Sequence, residues 1–304
     1  VLAKQKIDNM EDDLALIILN RAKKITSACN CDLYRIKTFE LLNQVYFKKV
    51  NYRAQIICLL ELEHLYFKYN QSNKLRKVYE ELAKTYMPIG DSQKAISYYY
   101  EKLNICGKKD TSCIAQCYIG ISKGRVINQE YNIAMKTITK GLELSEAIND
   151  TLGIVTSYDI LGQVYIGLKK YDSSELAFKK TIELSKKLGL EYQLAKALNN
   201  LGINYAEQKL YHKSLDYYNE SLSYANSMEN VYGQTVCNLN IGGIYNKLKQ
   251  FKKAKEYLLN GLEYANDFGF VSMQSDIHYE LFINYEKTGN TDKAFYHHKQ
   301  FVLY

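Results

Sequence analysis

A single proline, Pro88, and no tryptophan occur in 304 residues. Proline removes a backbone donor and breaks helices, so its near absence leaves room for long uninterrupted ones. No apolar run approaches the roughly 20 residues that a membrane-spanning helix needs, which excludes insertion by this segment. Nucleophile-elbow, phosphate-loop, dinucleotide-binding and zinc-protease signatures are missing, so no enzyme activity is expected. Paired carboxylates such as Glu80 with Glu81 read as helix-surface charge, since nothing sets two of them across a cleft. The seven cysteines are odd in number and irregular in spacing, which argues against a disulfide framework. Cys113 and Cys117 fall four apart on one helix face, but no second pair completes a four-ligand zinc site, so they read as core. No metal and no cofactor are expected.

What is present is 29 tyrosines and a net charge of +7. Tyrosine suits a layered helical protein, with its ring between helices and its hydroxyl at the wet edge. The lysines are scattered within a turn of Asp or Glu, as in Glu175 with Lys179, so they read as a solvated surface and not as a nucleic-acid track. The cysteines favour a reducing compartment, but free thiols do not exclude export, so cytoplasm and periplasm both stay open. The chain begins at Val1 and ends at Tyr304 inside a helical pattern. It reads as a segment of a longer protein, with any anchor or output domain outside it.

The organising signal is Leu161-Gly162-Gln163-Val164-Tyr165, which returns as Leu201-Gly202-Ile203-Asn204-Tyr205, as Ile241-Gly242-Gly243-Ile244-Tyr245 and as Leu281-Phe282-Ile283-Asn284-Tyr285. The starts lie 40 residues apart, a period that specifies stacked supersecondary units. The expected fold is all-α: a right-handed α-α superhelix of about seven helix pairs plus an N-terminal helix. Residues 1–10 carry no pattern. Leu14, Ile17, Ile18 and Ile25 have helical spacing and predict one capping helix within 1–32. One continuous array then covers 33–304, with repeats at 33–70, 71–110, 111–149, 150–189, 190–229, 230–269 and 270–304.

Counted from Val155, the fourth repeat places Tyr158 at position four, Leu161 at seven, Gly162 at eight and Tyr165 at eleven. It places Ser174 at twenty, Phe178 at twenty-four and Thr181 at twenty-seven. The fifth gives Leu198, Leu201, Gly202, Tyr205, Ser214, Tyr218 and Ser221 at the same places. This alternation of small and large residues resembles the tetratricopeptide repeat. Two departures stand out. The period exceeds the usual unit of about 34, and the proline that closes each unit is absent; both assign the added length, about a turn and a half, to the second helix. Long repeats of this kind are similar to the target-binding array of the mitotic-spindle adaptor LGN, to the Rap-type bacterial peptide receptors, and to the sensor regions of Bacteroidetes-type histidine kinases and regulators. The resemblance implies a non-catalytic array that takes a peptide or protein segment in its concave groove, as the sensory or scaffolding region of a larger bacterial signalling protein. A self-assembling array, homodimeric for example, or a cytosolic Rap-like pheromone receptor is the alternative.

Positions two, five, nine and twelve of each first helix point inward by helical spacing. They include Asp159, Gln163, Lys196, Asn199, Asn246 and, from the third repeat, Lys123, with Lys77, Lys84, Gln116, Thr156, Ile203, Leu239 and Gly243 beside them. Asn200 and Asn240 hold position six, where LGN-like arrays use asparagine to read a ligand's backbone. An amide both donates and accepts. These asparagines therefore either meet a ligand or bond to neighbouring helices. Arg125 stands where position eleven wants Tyr, and marks either an ion pair with a nearby carboxylate or an irregularity at a binding surface. His298 falls on position twenty-four, an aromatic core slot, and reads as packing and not as a ligand.

Overall fold

The computed structural model describes residues 2–8, 11–29 and 31–303, and every regular element among them is a helix. The order is α1 (Leu2–Asp8), α2 (Asp12–Ala28), α3 (Asp32–Lys48), α4 (Tyr52–Lys68), α5 (Ser72–Tyr86), α6 (Ser92–Ile105), α7 (Thr111–Ile127) and α8 (Tyr131–Ala147). It continues with α9 (Thr151–Gly167), α10 (Tyr171–Leu188), α11 (Glu191–Glu207), α12 (Tyr211–Ser227), α13 (Val231–Lys247), α14 (Phe251–Phe268), α15 (Val271–Lys287) and α16 (Thr291–Leu303). This is the all-helical tandem arrangement of a tetratricopeptide solenoid, and none of the helices is long and apolar enough to cross a membrane among the described residues.

The helices form two compact units, residues 1–153 and 154–304, divided in the first turn of α9. The sequence reading drew one array. In a solenoid each unit touches only its neighbours, so a long array has no contacts that bind its far ends into one body.

The stretch read as one capping helix holds two, α1 and α2. Ala3 and Ile7 are buried, and Lys6 pairs with Glu11 at 2.9 Å. Two apolar residues four apart are too short a run to register as a periodicity.

The added length is also not carried by second helices alone. A second helix longer by a turn and a half would outrun its partner by about six residues at 3.6 per turn. Instead α9 and α10 have 17 and 18 residues, and α11 and α12 have 17 each. Turns of about three residues separate them, and a left-handed residue recurs in each turn: Lys169, Gly189, Lys209, Glu229, Lys249, Gly269 and Gly289 in the second unit. At Lys209 (φ 61°), the next amide, of Leu210, reaches back 2.9 Å to the Tyr205 carbonyl, a Schellman closure. Asparagine and aspartate cap several starts: Asn51, Asp91, Asp110 and Asp150 in the first unit, Asn230 and Asn290 in the second each accept from the backbone N–H three residues on.

The glycine at position eight lets the paired helices close. A Cβ on Gly162 would lie 2.5 Å from the buried Phe178 ring, and one on Gly202 would lie 2.5 Å from the Tyr218 ring. Ser174, fully buried at position twenty, donates to the Gly162 carbonyl at 2.9 Å. In the last repeat Phe282 takes the glycine's place. The slot is filled from the other side, so His298 is exposed with its ring 5.1 Å from Phe282, and His297 is buried instead. The reading of His298 as a core residue is corrected on that account.

Candidate functional site

In the second unit the inward positions of successive first helices are joined by side-chain hydrogen bonds. Asp159 on α9, 4% exposed, accepts from Gln163 Nε2 at 2.8 Å, from Lys196 Nζ at 2.7 Å and from Asn200 Nδ2 at 2.8 Å. Asn199 Oδ1 on α11 accepts from Asn240 Nδ2 on α13 at 2.9 Å. Position six of one repeat thus donates to position five of the repeat before it, 41 residues earlier in both cases. Asn246 then donates to the Glu280 carboxylate and carbonyl, each at 2.9 Å, and accepts from Asn284 at 2.8 Å. Asn200, Asn199 and Asn246 are buried, Gln163 and Asn240 half-buried, and Lys196 exposed. Partial loss of water where the Lys196 ammonium meets Asp159 lowers its pKa, but the Asp159 carboxylate outweighs that and holds it above the ordinary lysine value. Of the two uses open to the asparagines, the bonds to neighbouring helices are the ones formed.

Tyr192, Lys196 and Asn199 of α11 also border a cavity of about 70 Å³, closed by Ser221, Tyr232 and Cys237. It has room for little more than water.

The first unit is more open. Glu40, Asn43 and Gln44 of α3, with Lys74, Lys77 and Glu81 of α5, line a cleft of about 350 Å³. A second, of about 360 Å³, runs on past Asn43, Gln44, Phe47, Gln55 and Lys84. Asn43 donates to Glu81 at 2.7 Å between them. Glu40 accepts from Tyr66 at 2.8 Å and Lys74 at 3.3 Å. Its pKa is raised by burial but more than recovered by those donors, so the carboxyl stays below its usual value. Lys77 and Lys84 were read as inward-facing, and both border these clefts. Glu40, Gln44 and Phe47 hold positions five, nine and twelve of the first repeat. The spacing rule reaches them once it is carried back to that repeat.

On α7, Lys123 and Gln116 are exposed. Gln116 accepts from the buried Lys102 at 3.0 Å, and Lys102 pairs with Glu80 at 2.7 Å. Arg125 pairs with Glu130, the carboxylate five residues on.

The cysteines depart from the expected free thiols. Cys29 is bonded to Cys31, and Cys106 to Cys113. The turn that Asp110 caps folds the end of α6 back onto the first turn of α7, which brings Cys106 and Cys113 to a Cα separation of 5.9 Å. A sequence interval cannot show such a reversal. Cys117 lies one helical turn further on, with its sulfur 4.0 Å from that of Cys106.

Comparison with known proteins agrees with this geometry. Family models of the tetratricopeptide repeat match residues 154–227 and 237–268. No curated protein matches the chain by sequence. Among solved structures, a Rap protein complexed with Competence and Sporulation Factor superposes with a TM-score of 0.68 at 16% identity, over 89% of this chain and 74% of that one. Aspartyl phosphate phosphatase F from Bacillus subtilis gives 0.57 at 14% identity, over 94% and 91%. A signal-transduction ATPase with a tetratricopeptide repeat sensor from Pyrococcus horikoshii gives 0.62 at 18% identity; 95% of this chain is covered, but it spans only 45% of that protein. At these identities the likeness is one of fold. The chain carries tetratricopeptide repeats, units whose stacked first helices make protein-interaction surfaces.

Proposed function

We propose that the chain is a non-catalytic module that holds an extended peptide or protein segment along the first helices of its repeats. The observation that carries this is the pair of adjoining clefts on α3 and α5. Together they exceed the roughly 300 Å³ at which ligand pockets begin, and they run along the helices as an extended chain would. Their lining is amide and charge over an apolar floor: Asn43, Gln44 and Gln55 can pair with a ligand backbone, and Lys74, Lys77 and Lys84 favour a segment with acidic side chains. In the second unit the accessible groups on the same face are Lys196, Gln163 and Asn240. Asp159 holds Lys196 and Gln163, Asn199 holds Asn240, and Asn200 is bonded to Asp159, so these three act as positioning residues.

The context we favour is the sensory or scaffolding part of a larger signalling protein. Structures of like fold include a Rap protein bound to a signalling factor and an ATPase whose repeats are described as its sensor.

A displayed peptide library, selected on the purified chain, tests the reading. Selected peptides should be rich in Asp and Glu, and Gln44→Ala with Lys77→Ala should weaken them by about tenfold or more, the loss of one or two hydrogen bonds to charged or amide groups. Peptides that bind this double variant as well as the parent would place the site elsewhere.

A further inference from the structure

Cys106, Cys113 and Cys117 bring three sulfurs within 4.8 Å of one another at the junction of α6 and α7. Cys113 and Cys117 stand one turn apart on α7, and Cys106 approaches from the C-cap of α6. The sulfurs of Cys106 and Cys117 are 4.0 Å apart. Three thiolates each about 2.3 Å from one ion, in a trigonal arrangement, lie about 4 Å from one another, so this edge of the triangle already has the right length. The carboxylate nearest at hand is committed elsewhere. Asp110 accepts from the Cys113 backbone N–H at 3.1 Å and pairs with Arg76 at 2.7 Å. Among the described residues the cluster therefore offers three soft ligands and no fourth. That suits an ion content with three thiolates and does not suit the closed tetrahedral site of structural zinc. Arg76 and Lys102 set positive charge beside Cys117, in part answered by Asp110 and Glu80.

We propose that Cys106, Cys113 and Cys117, once the Cys106–Cys113 bond is reduced, bind one Cu(I) ion as three thiolates. Cys106 and Cys113 cannot ligate while joined to each other, so disulfide and metal exclude one another. Reduction by a water-soluble phosphine balances simply. Two electrons pass from phosphorus to the two sulfurs, two protons from water complete the thiols, and the oxygen of that water ends on the phosphine oxide. Binding then releases the thiol protons.

The test is an anaerobic Cu(I) titration of the full chain against a coloured competing chelator. It is done in a Cys29→Ser, Cys31→Ser background, so that the other adjacent pair contributes nothing. The phosphine-reduced chain should take up one ion. Cys106→Ser should weaken uptake more than about a hundredfold, beyond what loss of an outer-shell partner does, while Cys58→Ser with Cys237→Ser leaves it unchanged. Cys106 is only half-buried at a helix end, so its variant keeps the fold, and far-UV dichroism checks that it does. Equal uptake by the unreduced chain, equal uptake by Cys106→Ser, or Zn(II) held as tightly as Cu(I) would each overturn the assignment.

Discussion

Two neighbouring glycines on α13 should respond to the same substitution with opposite sign. A Cβ on Gly242 would sit 2.6 Å from Leu258 Cγ, 2.7 Å from its Cδ2 and 3.2 Å from the Ala254 carbonyl oxygen. Leu258 is fully buried and a carbonyl in a helix cannot step aside, so the strain has no cheap outlet. Overpacking of this kind costs about 1–3 kcal/mol. A Cβ on Gly243 meets nothing nearer than the Glu280 carboxylate at 3.4 Å, an ordinary contact with the end of a flexible side chain. Both sites lie inside a helix, where alanine is better than glycine by about 0.8–1 kcal/mol. Gly243→Ala should therefore gain roughly that amount. Gly242→Ala should lose up to about 2 kcal/mol net. The propensity gain cancels in the difference between the two variants, which leaves the overpacking cost alone. Urea unfolding followed by far-UV dichroism reads both midpoints. If Gly242→Ala is as stable as Gly243→Ala, close approach at position eight is not what shapes the repeat. The last repeat shows the alternative outcome, because Phe282 at this position is accompanied by an exposed His298.

Three further outcomes follow from the same reasoning. Val50 is β-branched at φ 53°, in the place that Gly90 takes one repeat later, so Val50→Gly should raise the unfolding midpoint by the equivalent of about 1 kcal/mol. His278 and His297 face each other with their Nδ1 atoms 2.8 Å apart, and burial, then His278 and Lys293, push His297 down to about 4 from the ordinary 6.5. A base whose folded pKa is depressed stabilises fully above the unfolded value and less as pH falls below it. Wild type should thus lose up to about 3 kcal/mol between pH 6.5 and 4 relative to His297→Phe, and parallel pH profiles of the two melting midpoints would refute it. Asp159→Ala strands the buried Asn200 amide and should cost about 2–3 kcal/mol, whereas Asp159→Asn keeps an acceptor for Asn200 and loses the pair with exposed Lys196 and the bond from half-buried Gln163, together about 1 kcal/mol; equal losses would mean the charge dominates.

The fold was legible because one physical constraint repeats. Gly162, Gly202 and Gly242 are where two helices touch, and nothing but glycine fits, so the spacing survives around them while surface residues vary. The site was only half legible. Helical spacing assigned Lys77, Lys84 and Lys196 to inward positions of first helices; Lys77 and Lys84 border the clefts of the first unit and Lys196 a small cavity of the second. It could not say which amides are spent on each other, because that depends on the offset between successive repeats and not on any one helix. Nor could it find the meeting of Cys106 with Cys113, which a turn decides, or the helix at residues 2–8, where two of the described side chains are buried. The even sharing of length between paired helices was hidden as well: a 40-residue period fixes the sum of two helices and two turns, and leaves the division open.

The hydrogen-bonded face of the second unit also explains its own interruption. An amide donates and accepts at once, so adjacent asparagines at positions five and six can link one repeat back and the next forward without end. Asp159 starts the series as an acceptor only, and Asn200, Asn199 and Asn240 continue it. The next rung would need Leu239 to accept and Glu280 to donate; a methyl group and a carboxylate can do neither. The bonding therefore moves along α13 to Asn246, which can donate to Glu280 and accept from Asn284. Where the rungs are complete, a ligand that engages Asn240 must first break its bond to Asn199, and forfeits about 1 kcal/mol of whatever it gains. Exposed Gln44 and Lys77 in the first unit ask less of a ligand, because neither is part of such a series. That difference in amide bonding is why the proposed peptide site is assigned to the first unit and not to the second.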